Sequence, residues 1–257
     1  VLRAVTPIWA SKNETASRLR GRIEAVLDWA KVHGLRHGEN PARWRGNLSH
    51  TLPPRSRVAQ TKQHAALPHA ALPDLWQQLA ARSSSAALAL QFLILTAART
   101  GEVIGARWQE IDRDNRLWVV PAARMKSGRV HRVPLAPPAL AVLDAAARRR
   151  QSQWVFAGGK PDTGLSNAAL AALLKKMGHT GVTVHGFRST FRDWVADKTD
   201  AAPQLAEAAL AHAKGDAVEA AYFRSDLLDK RRQLMASWAA FATGKTDCAL
   251  AQSGTKC

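Results

Sequence analysis

The chain has 257 residues, of which 46% are hydrophobic, and this is enough apolar side chain to bury the core of one large domain or two smaller ones. It carries 37 Lys and Arg against 20 Asp and Glu, and the resulting net charge of +17 predicts a polyanionic partner. Nucleic acid fits better than a membrane surface, because the basic residues are spread along the chain and form no isolated amphipathic helix. Charge alone does not separate a DNA enzyme from a ribosomal or nucleoid protein.

Two further observations argue against membrane, disulfide-rich and zinc proteins. The longest apolar stretch, Ala86 to Leu95, is shorter than the ~20 residues that span a bilayer, and no signal peptide precedes it, so we expect a cytoplasmic protein. Cys248 and Cys257 have no CxxC spacing, which argues against a disulfide framework or a zinc site. Because the chain begins with Val1 rather than Met, we expect a fragment that lacks an N-terminal region.

The first predicted element is a helix from Thr15 to His33, where apolar residues recur at helical spacing and Gly34 supplies a stop. The stretch 38–63 is rich in Pro, Gly, Ser and Arg without periodicity, and we interpret it as a basic linker. From Pro68 to Gly244 the pattern is mostly helical. Helices are predicted near residues 73–81, 85–98, 101–108, 137–149, 166–177, 187–197, 203–213, 216–224 and 227–242.

The helical pattern is interrupted between Arg116 and Leu135. Leu117 to Val120 form one apolar run, and a turn at Lys126-Ser127-Gly128 separates it from a second run, which predicts a β-hairpin. A mostly helical domain with one small antiparallel sheet is an α+β fold. The polar tail 245–257 is predicted to be disordered.

Three short motifs contain candidate functional residues, and the first is an arginine at the end of an apolar helix. Arg99 follows a run in which almost every neighbour is apolar, so its guanidinium is expected to project from a buried, rigid element and to bind a phosphate. The alternative is an arginine that only pairs with Glu102 or complements the end of the helix.

The second motif places a histidine and an arginine three residues apart. His185 and Arg188 can share one helical face and converge on one anion, and Phe187, Phe191 and Trp194 supply an apolar flank that would partly bury them. The alternative is an exposed pair on a solvated helix.

The third motif contains His212 and Tyr222, the chain's single tyrosine. Lys214-Gly215 predicts a turn and Asp216 a helix cap, which would place the two residues on adjacent helices. Taken alone, a single tyrosine is more often part of a core or an interface than a catalytic group.

These residues complement one another chemically. A phenol has a pKa of ~10, so its use as a nucleophile needs cations that stabilise the charge developing on the phosphate. Two arginines and two histidines could do this, and Lys126 at the hairpin tip could deliver a proton to a leaving oxygen. The alternative for Lys126 is a solvated turn lysine.

In chain order, the set resembles the active-site motifs of the tyrosine recombinase, or phage integrase, family. The phrases Arg107 to Asp112 and Arg124-Met125-Lys126 resemble bacterial prophage integrases in particular. The catalytic resemblance covers about Leu67 to Phe241, and Leu19 to Leu67 resembles the end of the family's helical core-binding domain. The matching residues are Arg99, Lys126, His185-Gly186-Phe187-Arg188, Leu210-Ala211-His212 and Tyr222.

The resemblance implies a residue-by-residue chemistry. Tyr222 would attack a DNA phosphodiester to form a 3′-phosphotyrosyl link, and Arg99 and Arg188 would clamp the non-bridging oxygens. His185 would act as general base or assist proton transfer, Lys126 would protonate the leaving 5′-oxygen, and His212 would donate a hydrogen bond to the phosphate. The covalent link keeps the bond energy, so neither metal nor ATP nor another cofactor is expected.

The resemblance also implies an organisation and partners. Residues 1–55 would be the C-terminal part of the core-binding domain, 56–67 a linker, 68–244 the catalytic domain and 245–257 a disordered tail, with the N-terminal arm-binding domain absent. Four protomers would act on two double-stranded DNA attachment sites through a Holliday junction, integrating or excising a prophage or genomic island in the bacterial cytoplasm. An excision directionality factor and a host DNA-bending protein are further expected partners.

Three other readings stay open at the level of sequence. The first is a catalytically inactive DNA-binding protein of the same fold, and the second is a type IB topoisomerase, which uses similar chemistry as a monomer. The third is a basic nucleoid or RNA-binding protein, which would have no reason to gather Arg99, His185, Arg188 and Tyr222 in one pocket.

Overall fold

The computed structural model describes residues 1–58, 65–212 and 226–245. The chain divides into two compact units, Val1–Gln63 and His64–Cys257, each described here by itself. The helix predicted at 216–224 and the tail predicted from 245, apart from Lys245 itself, lie outside the described residues.

The first unit is built on two helices with a small core of its own. Helix α1 spans Leu2–Trp9 and α2 spans Asn13–Val32, close to the predicted helix 15–33, while α1 itself is not predicted from the sequence. The side-chain amide of Asn13 donates to the Trp9 carbonyl at 3.0 Å, which joins the two helices at their turn. The buried residues of this core are Val5, Trp9, Ala16, Leu48 and Leu52.

The interpretation of 38–63 as a linker is wrong for its described part, 38–58. Leu48 and Leu52 are core residues, and the stretch contains a 3₁₀ turn, Leu48–His50, and a short helix α3, Arg55–Val58. Asn40 is 2% exposed, and its amide donates to the Glu24 carbonyl at 2.8 Å. Side-chain bonds to backbone hold this stretch, and such bonds leave no periodic signal in a sequence.

The second unit is mostly helical and surrounds one buried helix. That helix, α5, packs against helices on several sides, and its residues from Ala87 to Thr96 are all buried. It starts at the Ser84 cap and ends at Ala97, whose φ of 49° stops it short of the predicted residue 98. The helices are α4 Leu72–Ala80, α5 Ser85–Thr96, α6 Thr100–Ile104, α7 Pro137–Ala147, α8 Ala169–Lys176, α9 Gly186–Lys198, α10 Pro203–Ala209 and α11 Leu228–Ala242.

The predicted hairpin is present and carries one additional short strand. Strands β1 (Ile111–Asp112), β2 (Leu117–Val120) and β3 (His131–Pro134) form an antiparallel sheet in the order β1-β2-β3. Val120 pairs with His131, so the loop 121–130 connects β2 to β3 and contains Lys126. Within it, the Gly128 amide donates to the Met125 carbonyl at 3.0 Å. The α+β fold class predicted from the sequence is confirmed.

Aromatic packing fixes the last described helix against the centre of the unit. Trp238 on α11 packs edge-on against Phe191 and at a tilt against Trp194, both on α9. Its indole N–H donates to the Ile94 carbonyl of α5 at 2.7 Å, which satisfies the polar atom of a side chain that is fully buried. Helix α11 is therefore held rigidly, and Arg231 is held with it.

Candidate active site

Arg188 is the most deeply buried of those predicted site residues that the structure describes. It lies in the first turn of α9 and is 4% exposed. Its Nη1 donates to the Ala97 carbonyl at 2.6 Å and its Nη2 to the Leu210 carbonyl at 2.5 Å. Two backbone acceptors from distant parts of the chain therefore fix the plane of this guanidinium.

Arg99 precedes α6 and is held by one carboxylate and one carbonyl. Glu102 accepts from the Arg99 backbone N–H at 2.9 Å and from Nη1 at 2.7 Å, so the pairing with Glu102 considered from the sequence is present. In addition, Nη2 donates to the Ala211 carbonyl at 3.2 Å. The side chain is 23% exposed, so this guanidinium presents an edge to solvent that Arg188 does not.

The end of helix α10 brings these groups together. The consecutive carbonyls of Leu210 and Ala211 accept from Arg188 and Arg99, and the His131 ring lies near the backbone of Ala209. The three side chains come from three other elements. The last carbonyls of a helix lack intrahelical donors and carry partial negative charge, so cationic donors are favoured there. The two arginines predicted from separate motifs thus meet immediately before His212.

His212 is oriented by a carboxylate one helical turn away. Its Nδ1 lies 2.5 Å from Oε2 of Glu207, and Oε1 of the same carboxylate pairs with Arg192 at 3.1 Å. An ionised carboxylate can only accept, so Nδ1 carries a proton and Nε2 is the ring nitrogen left to meet another group. When both ring nitrogens carry a proton, Nε2 also donates.

The electrostatics of the site favour an added anion. Burial, and then the neighbouring Arg99 charge, lower the pKa of Arg188 to about 10, while Glu102 and Glu207 act in the opposite direction. Two guanidinium groups close enough to perturb each other are repulsive, and a bound phosphate would relieve that repulsion. The arrangement suits recognition of a phosphate by preorganised cations.

The other predicted residues are placed less closely. His185 is the exposed residue immediately before α9, three positions ahead of Arg188. Lys126 is exposed on the loop 121–130. The structure thus brings Arg99, Arg188 and His212 together around α10, with His185 at the adjoining helix start, whereas Tyr222 lies outside the described residues.

Sequence reasoning missed the residues that anchor the lysine loop. On its first side, Arg124 donates to both carboxylate oxygens of Glu110 and to the Glu102 carbonyl. Glu110 is buried and also accepts from the Trp118 indole at 3.0 Å. Glu110 and Arg124 both lie in phrases of the sequence that resemble prophage integrases. Such a phrase does not show which residues are in contact.

The second side of the loop is anchored through the first residues of β3. The His131 ring lies near the Ala209 backbone, and burial, followed by the Arg231 charge, lowers its pKa to about 4. The Arg132 carbonyl accepts from Nη1 of Arg231 at 2.7 Å. No sequence pattern singles out His131 or Arg231, because the groups that they approach are backbone atoms.

Two kinds of feature are absent from the residues that the structure describes. In the described ranges, no group of three His, Cys, Asp or Glu side chains is arranged to hold a metal ion. Across the same part of the chain, no helix combines the length and apolar character needed to cross a bilayer.

Two arginines that meet at one helix end of an α+β domain define a broad class of anion-binding protein, and comparison with known proteins narrows that class. The family model described as "Phage integrase family" matches residues 62–227, and the model described as "Phage integrase central domain" matches residues 1–47. The chain belongs to the phage integrase family.

Curated relatives agree with that assignment. The chain is 34% identical over 93% of its length to prophage integrase IntA of Escherichia coli (strain K12), and 31% identical over 88% to the integrase of Shigella phage Sf6. It covers 57% and 58% of those two proteins, so it spans less than two thirds of their length.

Solved structures share the fold. Lambda integrase in a dimer bound to a COC′ core site matches with a TM-score of 0.59 at 18% identity, over 88% of this chain and 78% of that one. Lambda integrase in a tetramer bound to a Holliday junction matches with a TM-score of 0.58 at 17% identity, over 83% and 60% of the two chains. At such identities the likeness concerns the fold.

Proposed function

We propose that the chain contains the strand-cleaving part of a tyrosine-type site-specific DNA recombinase, which integrates or excises a prophage or genomic island. The observation that carries this proposal is the meeting of Arg99 and Arg188 on adjacent carbonyls just before His212. Three residues from three separated family motifs converge there, as phosphate chemistry requires. Family membership and the basic charge of +17 support DNA as the substrate.

The two arginines act on the phosphate in different ways. Arg99 has the exposed edge, so it contacts a non-bridging oxygen directly. Arg188 is buried, so it contributes fixed positive charge from beneath the surface of the site and holds the end of α10 in place. His212, oriented by Glu207, donates a further hydrogen bond through Nε2. Such preorganised donors stabilise the charge that develops in the transition state.

The covalent step uses the remaining three residues. The Tyr222 oxygen attacks phosphorus, the new bond to that oxygen forms, and the bond from phosphorus to the 5′-oxygen breaks. His185 accepts the phenolic proton or assists its transfer, and Lys126 gives a proton to the departing 5′-oxygen. The product is a 3′-phosphotyrosyl link with a free 5′-hydroxyl, and attack by a partner strand's 5′-hydroxyl reverses the step on the other duplex.

The same proposal covers organisation and partners. Residues 1–55 form part of a core-binding domain, 56–67 a linker and 68–244 the catalytic domain, which the two family matches support. Four protomers act on two attachment sites in the bacterial cytoplasm, as the lambda integrase tetramer on a Holliday junction suggests by analogy. An excision directionality factor and a host DNA-bending protein assist the longer protein.

The test is covalent capture of DNA by this chain. A nicked duplex library with a randomised core is incubated with the protein, and adducts that survive denaturation are recovered, sequenced and remade as one selected core duplex. The nick lets the cleaved fragment diffuse away, so the adduct accumulates. The parent chain is expected to give a DNA-linked band on a denaturing gel.

Tyr222→Phe is the decisive variant. It removes one oxygen while the ring is retained, so DNA binding is expected to stay within about twofold while the covalent band disappears. Binding is measured by fluorescence anisotropy on the selected core duplex. A shifted band from the variant would show that another residue is the nucleophile, and a parent chain that binds DNA without ever forming an adduct would favour the inactive DNA-binding alternative.

A further inference from the structure

We propose that His131 and Arg231 are positioning residues for strand cleavage, which hold the Lys126 loop in register with the phosphate site. The inference rests on the proposed function, because it needs Lys126 to protonate the leaving 5′-oxygen. Neither residue touches DNA in this proposal, and each acts through the backbone of the strand that follows the loop.

His131 ties the base of the loop to the phosphate site. It is the first residue of β3 and pairs with Val120, so the loop 121–130 closes at this point. Its ring lies near the backbone of Ala209, the residue before Leu210, whose carbonyl accepts from Arg188. The loop base and the buried arginine of the site are therefore fixed to neighbouring atoms of one helix end.

Arg231 ties the next residue of β3 to α11. The side chain is 1% exposed, and its Nη1 donates to the Arg132 carbonyl at 2.7 Å. Its Nε and Nη2 bind the carbonyl and the carboxylate of Asp226 at 2.7 and 3.1 Å. The Arg132 side chain also reaches Asp226, at 2.8 Å. Arg231 thus joins the loop base to Asp226.

Together with Arg124, His131 and Arg231 anchor both sides of the loop that contains Lys126. Arg124 fixes the first side of the loop to Glu110 and to the Glu102 carbonyl, and His131 and Arg231 fix the second side. A general acid must come within hydrogen-bond reach of the oxygen that it protonates, and a misplacement of about 1 Å can cost ~10²-fold in rate. If only one end of the loop were anchored, the side-chain nitrogen of Lys126 would sample a larger volume.

The chemistry of these contacts favours positioning over simple packing. Burying a guanidinium is costly, and an apolar side chain of similar volume would fill the same space. Two of the acceptors are backbone oxygens, those of Arg132 and Asp226, so the contacts specify the path of the chain. The lowered pKa of His131 agrees with a neutral ring at this position.

A pair of substrates separates this role from general damage. The selected core duplex is made in two forms that differ only at the scissile 5′ bridging atom, oxygen or sulfur. A thiolate is a much better leaving group than an alkoxide and departs without a proton, so sulfur bypasses the general acid. His131→Leu and Arg231→Met are expected to slow single-turnover cleavage of the oxygen substrate by roughly 10- to 100-fold and that of the sulfur substrate by less than about threefold.

The ratio of the two rates is the deciding quantity, because a partly unfolded preparation lowers both rates equally. Conservative variants add a rescue. His131→Asn and His131→Gln each keep one amide N–H near a ring nitrogen's position, and one of them is expected to restore the parent ratio. Lys230→Ala, an exposed neighbour of Arg231 on α11, is the matched control and should leave the ratio unchanged.

Lys126→Ala distinguishes the two ways in which the inference could fail. If Lys126→Ala is not rescued by sulfur, its proposed role as general acid is wrong and the positioning role falls with it. If Lys126→Ala is rescued but His131→Leu and Arg231→Met are slowed equally on both substrates, or on neither, the positioning proposal alone is overturned. Rescue of all three variants supports both.

Discussion

The two site arginines are held by different kinds of partner, and this predicts different consequences of removing them. Arg188 satisfies two buried carbonyls, those of Ala97 and Leu210, so its loss leaves both without their charged donor. Arg99 is partly exposed, and its carboxylate partner Glu102 also accepts from a backbone N–H, so the fold depends on it less.

Arg99→Ala is therefore expected to separate catalysis from stability. Single-turnover adduct formation should fall 10²- to 10³-fold, about 3–4 kcal/mol of transition-state stabilisation, while the free energy of unfolding changes little. Arg188→Ala should lower the same rate and also cost about 2–3 kcal/mol of stability in urea unfolding. Arg113→Ala, which breaks an exposed pair with Asp144, is the control. An Arg99→Ala protein that cleaves at the parent rate would contradict the clamp role.

Sequence patterns predicted some of these residues and missed others for a physical reason. Arg99, Arg188 and His212 belong to short motifs, and the structure places them together. His131 lies near the backbone of Ala209 and Arg231 binds the Arg132 carbonyl, and these groups are 78 and 99 residues away in the chain. A backbone acceptor has no identity in the sequence, so no spacing rule could have paired them.

Among the elements, the start of α9 depends on a close approach of two backbones. A Cβ added at Gly186 would lie 2.3 Å from the Ala65 carbonyl oxygen and 2.9 Å from the Cα of Ala66. The Thr183 amide donates to that same carbonyl at 3.0 Å, which fixes the approach. Glycine is therefore required between His185 and Arg188 by packing alone.

Gly186→Ala tests this directly. The methyl group must push α9 away from residues 65 and 66, at a cost of about 1–3 kcal/mol of unfolding free energy. Adduct formation should fall as well, because His185 and Arg188 move with the helix start. Gly181→Ala, whose added methyl meets nothing within 4 Å, is the matched control for both measurements. Equal stability of the two variants would refute the requirement for glycine.

At the level of elements, periodic patterns predicted well and irregular segments did not. The helix predicted at 85–98 is observed at Ser85–Thr96, because Ala97 adopts a left-handed conformation that periodicity does not register. The hairpin is confirmed, whereas β1 is too short to show an alternating pattern. Residues 38–58 have no hydrophobic periodicity, so the sequence predicts a linker there. That prediction is wrong, because Leu48 and Leu52 are core residues.

For the whole molecule, the net charge of +17, from 37 basic and 20 acidic residues, predicts how the proposed DNA binding depends on salt. Affinity for a duplex of arbitrary sequence should fall steeply with salt, because each neutralised phosphate releases counterions. If six or more phosphates are contacted, anisotropy titrations should show a loss of at least ~10³-fold between about 50 and 200 mM salt.

A log–log slope near zero would contradict the phosphate-contact prediction. Arg99→Ala provides the internal control, because removing one phosphate contact should change that slope by no more than about one unit. Sequence preference in the same assay is expected to be weak, since phosphate contacts position a protein on DNA without specifying bases.

The acceptors at the end of α10 are main-chain atoms, and this affects how the site can be studied and how it can change. Alanine scanning cannot remove a carbonyl, and residues 209 and 211 are alanines already. Such a scan would score this stretch as inert although two arginines converge on it. Over evolutionary time, the side chains here are free to vary within the limits of size and of the positive φ of 48° at Ala211, provided that the helix ends at the same place. The positions of these carbonyl acceptors therefore depend on the path of the backbone and not on the identity of the side chains.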